Sequence, residues 1–132
     1  MRRGVLMAKI AVIPMIPESG ITMLQEQCEV SIWQGKEPPT REELIDFVKG
    51  ADGILSMLSD SIDAALMAAA GEELKVVSNY AVGYDNIDLQ AAKECGIRVG
   101  NTPGVLTETT ADLAWALLMA ASRRIVEGHQ YV

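Results

Sequence analysis

Cysteine, histidine, aromatic residues and positive charge are all scarce in this chain. Its two cysteines, Cys28 and Cys95, stand far apart and form no CxxC pair. That excludes a disulfide framework and a cysteine-based zinc site, and reduced thiols in a cytoplasmic protein are expected. The single histidine, His129, lies close to the last residue and reads as a solvated tail residue, so no metal site is expected. Lys and Arg number 11 against 18 Asp and Glu, for a net charge of -7. This balance argues against nucleic acid and against an anionic membrane surface as partners. No apolar run approaches the ~18 residues of a membrane span. Met1-Arg2-Arg3 imitates the start of a signal peptide, but Lys9 interrupts the apolar run, Pro14 and Pro17 close it, and no small-residue cleavage site follows. Met7 offers an alternative start, with Met1 to Leu6 as a frayed extension. No two glycines are spaced GxG, so the dinucleotide-binding turn GxGxxG is missing.

What is present is a regular alternation. The chain has 132 residues, 49% hydrophobic and 22% charged, enough to bury a core without staples. Ile10-Ala11-Val12-Ile13 is continuously apolar, as a strand buried on both faces should be, and strand 1 is read over Lys9 to Pro14. Strand 2 is expected at Val30 to Trp33, strand 3 at Gly53 to Met57, strand 4 at Val76 to Tyr80 and strand 5 at Ile97 to Gly100. Between them, Pro17-Glu18 opens a helix to about Gln27. Thr40 and Glu43 have the spacing of a capping box for a helix ending at Gly50. Ser61 or Asp60 is expected to cap a helix through Ala70, and Leu89 to Cys95 forms a short one. Thr107 or Glu108 opens a long helix to about Glu127. Five strand–helix alternations predict an α/β fold, a flavodoxin-like, doubly wound, parallel five-stranded sheet of order 2-1-3-4-5 with a long C-terminal helix.

The organising stretch is Asn79 to Asp88, a strand running through a corner at Gly83 into a helix that Asp88 is placed to cap. Glycine permits φ > 0 and close approach of another molecule to the main chain, and successive N–H groups at such a corner can form an anion-binding nest. An ordinary βα turn that needs a glycine fits the same residues, so both readings stay open at this point.

Three linked motifs narrow the choice. Val82-Gly83-Tyr84-Asp85-Asn86-Ile87-Asp88, Gly96 to Gly104 and Thr107 to Ala114 together resemble the D-isomer-specific 2-hydroxyacid dehydrogenases, in particular the glyoxylate/hydroxypyruvate reductase branch. The resemblance covers essentially the whole chain but well under half of such an enzyme. It implies a substrate-binding domain over residues 1–100, then a hinge and the first helix of the NAD(P)-binding domain over 101–132. It implies that the amides of Val82 and Gly83 hold the carboxylate of a small 2-keto or 2-hydroxy acid, that Leu58 walls the pocket, and that Thr110 contacts the cofactor pyrophosphate. The family uses NAD or NADP, but its Gly-rich turn and its catalytic Arg, Glu and His fall downstream of these motifs. No catalytic residue is therefore assigned here, and the chain alone is expected to bind no cofactor and to be inactive. The alternative is a stand-alone flavodoxin-like binding or interaction module. Pro14-Met15-Ile16-Pro17 is no phosphate loop for FMN, however, and strand 3 ends in Ser56-Met57 rather than the acceptor aspartate of a receiver domain.

Leu113 to Ala121 is an unbroken apolar run of nine residues. In a helix it points apolar side chains in every direction and must be covered on every side. A homodimer with the helix 108–127 at its interface is the expectation, which the resemblance also implies.

Overall fold

The computed structural model describes residues 7–131; Met1 to Leu6, the expected frayed extension, and Val132 lie outside the described residues. The chain divides into two compact units, Met1–Thr102 and Pro103–Val132. The first contains β1 (Ala8–Val12), α1 (Glu18–Gln25), β2 (Cys28–Ile32), α2 (Arg41–Phe47), β3 (Gly53–Ser56), α3 (Ala64–Ala70), β4 (Val76–Asn79), α4 (Leu89–Glu94) and β5 (Arg98–Gly100). The second contains α5 (Thr107–Ser122) and α6 (Ile125–His129).

All five strands pair in parallel in the order β2-β1-β3-β4-β5, the doubly wound sheet expected from the alternation. The two faces of that sheet are not equally covered. Along β4, Val77 and Asn79 are buried while Val76 and Ser78 are exposed. The buried face packs on α2, α3 and α4, which lie side by side. Ile54, Ile62, Leu66, Met67, Val48 and Val77 form the centre of the core there, each at most 2% exposed. Burying six such side chains stabilises this unit by roughly 1.5–3 kcal/mol each, before chain entropy is subtracted. Expected burial of β1 on both faces holds only for its carboxyl half, since Lys9 is exposed and Ile10 half-buried.

The helix starts follow local chemistry. Thr40 accepts from the Glu43 N–H while the Glu43 carboxylate accepts from the Thr40 N–H, a complete capping box. The Thr40 contacts hold the Glu43 carboxyl below its ordinary value. The α3 cap differs from expectation. Neither Ser61 nor Asp60 serves; Asp63, extended at φ -98° and ψ 177°, accepts from the Leu66 N–H at 2.9 Å. Asp60 is unavailable because its carboxylate already accepts from the Met57 N–H at 2.8 Å.

The long C-terminal helix is also corrected. It does not run from Glu108 to Glu127: α5 stops at Ser122, and Arg124 sits in the left-handed region at φ 49° before α6 begins. The Ser122 hydroxyl donates to the Met119 carbonyl at 3.1 Å, the oxygen that Arg123 N–H also uses. That side-chain bond competes with continuation of the backbone ladder. The helix opens at Leu106 with no side-chain cap, and no side chain of α5 is buried. No described helix is long and apolar enough to cross a membrane.

Candidate functional site

Parallel sheets present ligand sites beyond the carboxyl ends of their strands. Here β3 and β4 end together, because their register sets Ser56 beside Asn79. Both residues are buried, Ser56 at 0% and Asn79 at 1% exposure. A polar group buried this deeply needs partners, and each has them. The Ser56 hydroxyl donates to Asn79 Oδ1 at 2.9 Å. Asn79 Nδ2 donates to the Gly83 carbonyl at 2.8 Å and to Asn86 Oδ1 at 2.9 Å. Asn86 Nδ2 in turn donates to the carbonyls of Met57 at 3.0 Å and Asp60 at 2.9 Å.

These bonds shape two turns. Met57 to Asp60 is a tight turn closed by the Asp60 N–H on the Met57 carbonyl at 3.0 Å, with Leu58 and Ser59 at its tip. Ala81 to Tyr84 is the second, and its carbonyls are tied to the far side of the sheet. Asn101 Nδ2 donates to the Val82 carbonyl at 2.7 Å, and the Thr102 N–H donates to the Ala81 carbonyl at 2.9 Å. Beyond it, Ile62 pairs with Ile87 in a single parallel bridge, and the Asp88 carboxylate caps α4 through the Ala91 N–H at 2.9 Å.

Three residues marked in the sequence come together in these turns. Leu58 is 53% exposed and Val82 36%, and a Cβ on Gly83 would lie 3.3 Å from Leu58 Cδ2. Close approach, not backbone handedness, is thus what glycine provides at this corner. Gly83 is absent from the glycines with positive φ, which are Gly50, Gly71, Gly96 and Gly104, so of the two freedoms that glycine permits the corner does not use φ > 0. The N–H groups of Val82 and Gly83 donate to no protein acceptor among the described residues, and the same holds for the others of this turn. Thr110 belongs to the second unit, exposed in the first turn of α5, with its N–H on the Leu106 carbonyl at 2.9 Å.

Electrostatically the two turns are bare of cations. Residues 57–60 and 80–88 include Asp60, Asp85 and Asp88 but no Lys or Arg. A neighbouring concavity, about 300 Å³, opens at the ends of β1, β2 and β3 and is lined in part by Ile13, Met15, Trp33, Met57 and Ser59. Neither Val82 nor Gly83 lines it. No cluster among the described residues could hold a metal ion. A dinucleotide seat needs a Gly-rich strand-to-helix turn. Among the described residues the one long helix, α5, is uncapped by any side chain and begins at Thr107 after Thr-Pro-Gly-Val-Leu, so the residues present do not by themselves make that seat.

Comparison with known proteins decides the parentage. A profile of the "D-isomer specific 2-hydroxyacid dehydrogenase, catalytic domain" matches residues 7–127. The chain belongs to the D-isomer-specific 2-hydroxyacid dehydrogenase family. A glyoxylate reductase of Korarchaeum cryptofilum is 52% identical over 117 residues, covering 89% of this chain and 35% of that protein. The crystal structure of the TT0316 protein from Thermus thermophilus superposes with a TM-score of 0.82 at 46% identity, covering 93% of this chain and 39% of that one. A 3-phosphoglycerate dehydrogenase of Entamoeba histolytica, solved with NAD+ bound, matches with a TM-score of 0.70 at 29% identity over 86% of this chain and 39% of its own. The chain thus spans little more than a third of the length of these relatives.

The dehydrogenase motifs pointed to the two turns but not to what holds them. The sequence reading named Ser56, Asn79, Asp60 and Asn86 but missed their part in holding these turns. The available signal was a polar residue ending each of two apolar strands, Ser56 and Asn79, which in a parallel sheet must meet a partner or stay out of the core.

Proposed function

We propose that this chain is the substrate-binding part, with the first helix of the cofactor domain, of an NAD- or NADP-dependent D-2-hydroxyacid dehydrogenase acting on glyoxylate or hydroxypyruvate. The observation that carries the reading is the pair of unpartnered N–H groups at Val82 and Gly83, beside Leu58 at the carboxyl end of β4. They would hold the carboxylate of a small 2-keto or 2-hydroxy acid, with Leu58 as the apolar wall. Thr110 would touch the cofactor pyrophosphate, a role for which its place in the first turn of α5 is suited. With no cation in either turn, one or two backbone hydrogen bonds worth ~1 kcal/mol each must suffice, so affinity is millimolar at best. Cytoplasmic residence, read from two free cysteines, belongs to the same proposal.

Titration with oxalate or glyoxylate tests the seat. The amide resonances of Val82 and Gly83 should move first, and shifts confined to a distant region would defeat it. The 132 residues alone should not reduce glyoxylate with NADH or NADPH, because catalysis requires a positioned hydride donor and an acid/base that they do not supply. Turnover in material free of host dehydrogenases would refute this.

The same reading includes a homodimer through α5. Leu113, Trp115, Leu117, Leu118 and Met119 are all exposed, Trp115 by 67%. Apolar surface of this kind favours association by ~25 cal/mol per Å² covered. Sedimentation equilibrium at tens of micromolar protein should give a dimer mass; a monomer mass removes this part of the proposal.

A further inference from the structure

We propose that the side-chain amides of Asn79 and Asn86 form a strut that sets the spacing between the two substrate-facing turns, making both asparagines positioning residues of the carboxylate seat. This rests on the reading of Val82, Gly83 and Leu58 as that seat. The Asn86 amide group spans one turn from end to end: its two hydrogens go to the carbonyls of Met57 and Asp60, the first and last residues of the turn that carries Leu58. The Asn79 amide group holds the other turn through the Gly83 carbonyl. The two amides meet at 2.9 Å, Asn79 Nδ2 to Asn86 Oδ1. Each amide hydrogen therefore has an acceptor, and each amide oxygen a donor, the Ser56 hydroxyl completing Asn79. An asparagine is suited to this because one planar group offers two donors and an acceptor in fixed directions. Aspartate would oppose two carbonyls with a charge, and a hydroxyl could supply one donor only.

A network satisfied at every atom, with Ser56 and Asn79 buried and Asn86 half-buried, has one low-energy arrangement. It fixes the peptide after Gly83 relative to Leu58, which already lies within 3.3 Å of the Gly83 Cβ position. A carboxylate gripped by two backbone N–H groups needs them held at the correct separation before it arrives, since ordering them afterwards subtracts from affinity. The strut supplies that order without touching the ligand.

The experiment is a titration of the whole chain with oxalate, followed by amide and side-chain amide NMR resonances. In the unmodified protein the Asn79 and Asn86 side-chain NH2 signals should shift along the same curve as Val82 and Gly83. Asn86→Ala should weaken oxalate binding about tenfold, one hydrogen bond's worth of free energy, while the resonances of Val12 and Val77 in the core stay in place. Asn79→Ala, which frees the Gly83 carbonyl but leaves the Leu58 turn intact, serves if Asn86→Ala does not fold. Ile97→Val, which loosens the core just before the amino end of β5, the opposite end of the sheet from the turns, lowers the stability of the same unit and should leave affinity unchanged. If the unmodified chain binds no oxalate at Val82 and Gly83, the carboxylate seat itself fails. If it binds but the asparagine side-chain signals stay still, or if a folded asparagine variant binds within about twofold of the parent, the seat stands and the strut is overturned.

Discussion

The turns after β3 and β4 and the helix α5 both carry residues that the dehydrogenase motifs mark, yet they are built in opposite ways. Leu58, Val82 and Gly83 stand on a floor of buried and half-buried, mutually bonded polar side chains at the end of a packed sheet. Thr110 stands on a helix with no buried side chain and no side-chain cap. A seat for a small anion must be rigid before its ligand comes, so its backbone is over-determined by contacts within the unit. A helix apolar on all sides is incomplete by construction, and its order depends on what it is packed against.

The widest separation between the two regions should appear in the core. Leu66→Ala, at a fully buried position, is expected to cost ~2–5 kcal/mol in urea unfolding, whereas Leu117→Ala on α5 should change the same transition by less than ~0.5 kcal/mol at concentrations where the chain is monomeric. A loss at Leu117 that grows with dilution would show that α5 is covered by a second copy, and would narrow the contrast. Next in size, Asn79→Ala should cost ~1–3 kcal/mol, because Ser56, the Gly83 carbonyl and Asn86 lose a partner in a buried place. A neutral result would mean that water replaces the side chain and that the floor is less closed than its geometry implies.

A smaller effect tests the cap at the start of α3. Burial pushes the Asp63 carboxyl up, but the Leu66 N–H and the Arg41 hydrogen bond and charge outweigh it and hold the group below the ordinary aspartate value of 3.8. A carboxyl lowered by folding stabilises the fold above its ordinary value, and that contribution fades as pH falls through the folded value. Asp63→Ala should therefore cost ~1 kcal/mol at neutral pH, with the difference from the parent shrinking below about pH 4 in denaturation series. A pH-independent gap would assign the loss to packing. The partly exposed Arg41–Asp63 pair, 2.5 Å apart, adds little of its own. The smallest effect is expected at the corner. Gly83→Ala should alter stability by less than ~0.5 kcal/mol, since φ is not positive there and the nearby Leu58 methyl ends a flexible, exposed chain. It should nonetheless weaken oxalate binding, because the added methyl and the displaced leucine crowd the seat. A large stability loss would return the glycine to a purely structural role.

Strand order, the parallel sheet and the capping box at Thr40 were legible in the sequence because each depends on periods and spacings of a few residues. The cap of α3 was misassigned because three candidates, Asp60, Ser61 and Asp63, lie within four residues. A bond within the turn, from the Met57 N–H to the Asp60 carboxylate, removes the first, and only the tertiary bond from Arg41, 22 positions earlier, marks Asp63. The break at Arg124 was illegible for a related reason: arginine rarely adopts positive φ, and nothing in Ser122-Arg123-Arg124 announces it. Val82 and Gly83 were found through motif, but the reason for glycine came from a leucine 25 positions earlier.

The sequence by itself determined the family, the sheet and the chain of candidate residues, since motif, hydrophobic period and turn chemistry are local and additive along the chain. Tertiary structure alone decided that Ser56, Asn79 and Asn86 meet beneath the two turns, because hydrogen bonds between residues 23 and 29 positions apart exist only once parallel register has brought the ends of β3 and β4 side by side.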